Sequence, residues 1–274
     1  MELKVATFVV GAVTVTGANA QTNHFMWNDG SIKGTSTKWN TDSSVKSSMF
    51  GDAAGKTRLI SAEDNDSKKT FSFNTAISKN DKGDRANAFW IAVSEGPNPK
   101  GIAGELALLY FDASRAGAPI ITAYGYNGSN GFDTFKDGSP APGTQAPVKI
   151  ASSLKNSSFV QQSWYTEKDK YANDNTTMGF KINKSIINNF NGGKNWEGID
   201  FSSKFGIWYH PVTEASTSYG SDGFLTKFNF DKSGWVDLSC VNTGTGPTPV
   251  PEPASMAAVG LGIVGLLKRK RKQS

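Results

Sequence analysis

Thr177-Met178-Gly179-Phe180-Lys181-Ile182 alternates apolar with small or polar residues without a break. Successive side chains of an extended strand point to opposite faces, so Met178, Phe180 and Ile182 share a buried face, while Gly179 and Lys181 share the wet one. A second stretch behaves alike: Phe224, Thr226, Phe228 and Phe230 alternate with Leu225, Lys227 and Asn229. Outward from these two, strand-like runs recur at 70–77, 88–94, 105–112, 119–126, 158–165, 204–210 and 235–238. Turn chemistry separates them, as in Asp81-Lys82-Gly83-Asp84, Gly96-Pro97-Asn98-Pro99, Asn127-Gly128, Asn191-Gly192-Gly193 and Asp222-Gly223. Many short strands with such turns predict an all-β chain, an antiparallel two-sheet β-sandwich of jelly-roll or lectin-like type. One short helix is expected over 184–190, where Ile182, Ile186 and Phe190 stand four apart.

The 29 basic and 24 acidic residues give a net charge of +5, but Lys4 and the five residues Lys268, Arg269, Lys270, Arg271 and Lys272 supply six of the bases. The remainder is close to balanced, so no basic surface for nucleic acid is expected. The single cysteine, Cys240, excludes an intramolecular disulfide, and a domain of this length can bury enough apolar surface without one. With only two histidines, His24 and His210, and no Gly-x-Ser-x-Gly elbow, neither a histidine zinc site nor a serine triad is predicted. His210 reads as a strand-end residue.

Three kinds of candidate remain. Glu63-Asp64-Asn65-Asp66-Ser67 and Asn80-Asp81-Lys82-Gly83-Asp84 offer the hard oxygen ligands calcium prefers, with Asp64, Asp66, Asp81 and Asp84 as the candidate ligands, although Asp and Asn also form plain turns. Trp39, Tyr126, Tyr171, Trp196 and Tyr219 sit among Asn, Ser, Thr and Gly, a setting in which an aromatic face stacks on a sugar ring while amides bind its hydroxyls. Trp90 and Trp208, in apolar company, are core candidates. Glycoside hydrolysis needs two positioned carboxylates. The nearest approach to the Glu-x-Asp-x-x-Glu strand pattern of retaining jelly-roll glycosidases is Glu167-Lys168-Asp169, which lacks the third carboxylate.

The ends of the chain carry addresses. Residues 1–20 hold a basic Lys4, an apolar run over 5–15 and small residues at Ala18 and Ala20, which predicts a signal peptide cut by signal peptidase before Gln21. At the other end Val250-Pro251-Glu252-Pro253 precedes a Gly/Ala-rich apolar segment, 254–267, and then the basic cluster 268–272. This tail resembles the PEP-CTERM sorting signal of exported bacterial proteins. The resemblance implies that the segment 254–267 holds a precursor transiently in the inner membrane for an exosortase, a protease that cleaves near the Pro-Glu-Pro element. Fourteen helical residues span only about 21 Å against a hydrocarbon core of about 30 Å, a length that leaves both a processed sorting signal and a permanent membrane anchor open, and the Pro-Glu-Pro element, which an anchor does not need, favours the processed signal.

The expected organisation is therefore a signal peptide over 1–20, a β-sandwich over 21–240, a Thr/Gly/Pro linker over 241–249 and the sorting signal over 250–274. The expected role is that of an exported protein of the cell surface or extracellular matrix without enzymatic activity. Exopolysaccharide is the partner that the sorting resemblance implies. A secreted glycan-acting hydrolase of jelly-roll type is the alternative.

Overall fold

The computed structural model of the protein describes residues 22–28, 46–50, 53–95, 105–125, 148–167, 175–191, 198–201 and 205–240. They form an antiparallel two-sheet sandwich with a hairpin added on one outer face. The first sheet contains β1 (Thr22–Asn28), β3 (Thr57–Asn65), β4 (Thr70–Ile77), β10 (Thr176–Asn183) and β9 (Val160–Thr166), in the spatial order β1-β3-β4-β10-β9. The second contains β2 (Lys46–Phe50), β14 (Trp235–Cys240), β11 (Phe205–Thr213), β5 (Ala86–Glu95), β6 (Glu105–Asp112), β7 (Ile120–Gly125) and β8 (Val148–Ser152), in the order β2-β14-β11-β5-β6-β7-β8. The hairpin pairs β12 (Ser216–Tyr219) with β13 (Leu225–Asn229). The helix expected over 184–190 is the single turn α1, Ser185–Asn188.

Between the sheets lies an aromatic core. Phe71, Phe73 and Phe180 project from the five-stranded sheet against Phe89, Phe111 and Tyr209 of the seven-stranded one. Phe89 is at its centre, stacked on Phe111 at 4.6 Å with 6° between the rings, and 5.4 Å from both Phe73 and Tyr209. In β10, Met178, Phe180 and Ile182 face this core, as the alternation requires.

The larger sheet departs from the one-wet-face pattern. Ala88, Trp90 and Ala92 on β5, Leu108 and Tyr110 on β6, and Tyr124 on β7 form a second core beneath Phe224, Leu225 and Phe228 of the hairpin region. Both faces of β5 are thus covered, which is why 88–93 reads as a continuous apolar run rather than an alternation. Trp90 is buried there and the half-buried Trp208 packs against the same cluster. His210 lies within β11 rather than at its end, buried, with its ring 5.0 Å from that of Trp208 and 6.2 Å from that of Phe230.

The alternation expected over 224–230 is broken by a β-bulge. Lys227 pairs with Ser218 but Leu225 pairs with Tyr219, so Thr226 is an extra residue. An inserted residue reverses the facing of what precedes it, and Leu225 and Phe228, three apart, are both buried while Thr226 and Lys227 are exposed.

Candidate functional site

Of the five aromatic candidates, Trp39, Tyr126, Tyr171 and Trp196 lie outside the described residues, as do Ala20, Gln21 and the tail. Tyr219 is described, and its hydroxyl is turned into the protein. It donates to Asp112 Oδ2 at 2.7 Å, the oxygen that also accepts from Thr217 Oγ1 at 2.7 Å, while Ser114 donates to Asp112 Oδ1 from its backbone N and its Oγ. Asp112 is 1% exposed, so these bonds satisfy a buried carboxylate and fasten the hairpin to the end of β6. Burial, then the Asp112 charge, pushes the Tyr219 hydroxyl far above the usual tyrosine range.

An aromatic platform does exist on the outer face of the five-stranded sheet, at a residue the sequence candidates do not include. Trp164 of β9 stands opposite Gly179 of β10, which stands opposite Asn74 of β4. The Trp164 indole reaches across Gly179 and donates from Nε1 to Asn74 Oδ1 at 3.2 Å. A Cβ on Gly179 would lie 2.3 Å from the indole and 2.5 Å from the Phe73 carbonyl, so only glycine lets the ring cross the strand this closely. In the neighbouring register row, Gln162, Lys181, Ser72 and Glu63 run across β9, β10, β4 and β3 on the same face. The signal was in the sequence: a glycine inside a clean alternation marks close approach by another group.

The acidic candidates separate. Asp81 is exposed, and Asp84 belongs to a turn closed by Asn80, whose Oδ1 accepts from the backbone N of Lys82 and Asp84 and whose Nδ2 donates to Asp84 Oδ2. Asp64 and Asp66 behave otherwise. Residues 63–65, read from the sequence as part of an acidic loop, are the end of β3, and Asn65 Oδ1 closes the turn to β4 by accepting from Ser67 Oγ and the Lys68 backbone N. Asp64, Asp66 and Asp200 bring carboxylate oxygens within 4.8 Å of one another. Lys184, at the junction of β10 and α1, places its ammonium 2.5 Å from Asp64 Oδ1 and 2.5 Å from Asp66 Oδ1. The lysine takes the place a cation would take between those two carboxylates.

Lys184 is 1% exposed and Asp64 is fully buried, with Asp64 Oδ2 accepting from the Phe201 backbone N at 3.4 Å. The lysine backbone is held on both sides, because its N–H donates to the Lys69 carbonyl and its own carbonyl accepts from Ile187 and Asn188. Burial acts against the ammonium, yet the hydrogen bonds and charges of Asp64 and Asp66 outweigh it and hold Lys184 above the ordinary lysine value. For Asp64 burial wins over the lysine, and its carboxyl is pushed up.

The comparisons with known proteins concern the tail. Residues 249–272 match the family of the PEP-CTERM protein-sorting motif. The chain carries a PEP-CTERM sorting signal. That signal implies an exported protein processed by an exosortase and destined for the surface. Neither a curated protein nor a solved structure matches the chain. Among the described residues no helix is long and apolar enough to cross a membrane, and the PEP-CTERM segment lies outside them.

Proposed function

We propose that this PEP-CTERM protein is a component of the cell surface or extracellular matrix that holds exopolysaccharide on the outer face of its five-stranded sheet. The observation behind the reading is the Trp164 indole laid over Gly179 and fixed by Asn74. A ring held in place across the strand, with an amide, an ammonium, a hydroxyl and a carboxylate in the next row at Gln162, Lys181, Ser72 and Glu63, suits a pyranose, whose apolar face stacks while its hydroxyls bond. A single shallow platform binds weakly, because little area is buried and water competes for each hydroxyl. Many copies along one polymer restore retention through effective concentration.

The test is retention of the full chain on multivalent arrays of bacterial and plant polysaccharides. Trp164→Ala is expected to weaken retention by roughly tenfold or more. Folded protein that retains no polysaccharide, or a Trp164→Ala variant that retains as well as the parent, rejects the platform. Turnover of a glycan would instead establish the hydrolase alternative.

Delivery follows the two signals. Signal peptidase cuts before Gln21, the segment 254–267 holds the precursor in the inner membrane, and the exosortase removes the basic tail. Surface-derived protein is expected to begin at Gln21 and to lack 268–272 by mass mapping. Deleting Pro251, Glu252 and Pro253 is expected to leave export intact and strand the precursor, and normal surface delivery of that deletion would refute the processing step.

Calcium at Asp64 and Asp66 competes with Lys184 for the same oxygens. We therefore expect a chelator to leave the melting temperature unchanged, since an ion bound only by the folded state would raise it. A calcium-dependent rise would assign the ion to the acidic candidates instead.

A further inference from the structure

Two charged residues stand where the strand pattern calls for apolar ones. Along β3 the inward positions are Ile60, Ala62 and then Asp64, and along β10 they are Met178, Phe180, Ile182 and then, one residue beyond the strand, Lys184. Each charge follows the inward phase of its own strand, and the two meet in the interior. Phe71 is the register partner of Asp64 on β4, and Phe201 packs edge-on against Phe71 at 5.8 Å. Almost no water reaches the pair, with Asp64 at 0% and Lys184 at 1% exposure, so the amine and the carboxyl are held in contact without hydration shells between them. Asp66 differs from both. Its side chain is 29% exposed and touches the same Nζ at 2.5 Å.

We propose that Lys184 and Asp64 condense to an intramolecular isopeptide bond, with Asp66 as the proton relay. The Lys184 ammonium gives a proton to Asp66, which passes it to the Asp64 oxygen that Phe201 does not hold, and the neutral Nζ lone pair then adds to Cγ of the carboxyl so formed, making the N–C bond. The Phe201 N–H, which already contacts Asp64 Oδ2, faces the oxygen that becomes the amide carbonyl. Asp66 carries a second amine proton to the other Asp64 oxygen, the Cγ–O bond breaks, and that oxygen leaves as water through the exposed side of Asp66. Of the three protons on the ammonium, one stays on the amide nitrogen and two leave in the water, so Asp66 ends as it began. No oxidant, reductant or cofactor enters. Fixed contact between the reacting groups supplies the effective concentration that free amine and carboxylate lack in water.

The bond would tie the end of β3 to the junction of β10 and α1 across the intervening β4. It gives an exported chain with one cysteine a covalent staple that no intramolecular disulfide can provide.

The experiment is mass spectrometry on the full chain. Once its termini are mapped, the folded protein is expected to be lighter than its sequence by one water. A tryptic digest is expected to contain a branched peptide joining the Asp64 and Lys184 segments, with no cleavage after Lys184. Lys184→Met and Asp64→Ala are expected to show the full sequence mass. Asp66→Asn keeps the amine and the Asp64 carboxyl, and is expected to fold by circular dichroism yet remain unlinked. Folded parent protein that keeps the full sequence mass after prolonged incubation at neutral pH overturns the proposal, as does a water loss with no branched peptide, the signature of an aspartate cyclised on its own backbone. Linkage in Asp66→Asn at the parent rate would remove the relay.

Discussion

Replacing Phe89 with alanine is expected to destabilise the domain by about 3–5 kcal/mol, the range for deleting a buried phenylalanine whose cavity cannot collapse. The site gives little room for relaxation. Phe89 is fully buried on β5, a strand hydrogen-bonded on both sides to β6 and β11, and its ring touches Phe73 and Phe180 on the opposite sheet as well as Phe111 and Tyr209 on its own. The stacked pair with Phe111 adds an aromatic contact beyond the area lost. For a domain of this size each kcal/mol moves the melting temperature by roughly 2–4 °C, so a fall near 10 °C is expected in a thermal melt. A loss below about 1 kcal/mol would show that the sheets do not meet at this ring.

The fold was legible where apolar-rich runs are bounded by turn residues, whether one face is buried, as in β10, or both, as in β6. The expected runs 70–77 and 105–112 coincide with β4 and β6, and 177–182 lies one residue inside β10 at each end. Shorter or more polar strands escaped notice. Ser-Thr-Ser-Tyr at β12 has no apolar period of its own and forms because β13 pairs with it over the second core. β3 was hidden by its acidic end, since Glu63, Asp64 and Asn65 look like loop until β1 and β4 are seen to pair on either side. The bulge at Thr226 could not be read from β13 alone, because it is a property of the pair and not of either strand.

The sites were less legible for the same reason. Tyr219 has polar neighbours in sequence, yet its partner in space is Asp112, more than a hundred residues away. Trp164 carries no local signal, because the residues it lies across and bonds to, Gly179 and Asn74, belong to other strands. Asp64 and Asp66, the candidate calcium ligands, do lie together with Asp200, but the cation that Asp64 and Asp66 face is a side chain 118 residues from Asp66. What the sequence did contain was the phase: an aspartate and a lysine each on the inward register of an apolar strand. Opposite charges in such positions are expected to find each other, because neither can be buried alone.

Measured against parent chain in which the amine is still free, Lys184→Met is therefore expected to cost about 3–5 kcal/mol, the range for removing one partner of a buried ion pair, because Asp64 would keep its burial and lose its counter-charge. Denaturant unfolding measures it. Adding Asp64→Leu to the same chain should recover much of the loss, since an apolar pair in an apolar site has no charge to compensate. A single variant as stable as the parent would show that the pair contributes nothing. The pH profile separates the ionic from the covalent form. While the amine is free, its folded-state pKa lies above the ordinary 10.5, so its stabilisation is complete below 10.5 and is lost as the pH rises through the higher folded-state value. Once the amide has formed there is no ammonium to titrate, and the alkaline loss at this site disappears. Parent protein that holds its stability through that range, beside an Asp66→Asn variant that keeps the free amine and declines, is the result expected of a linked domain.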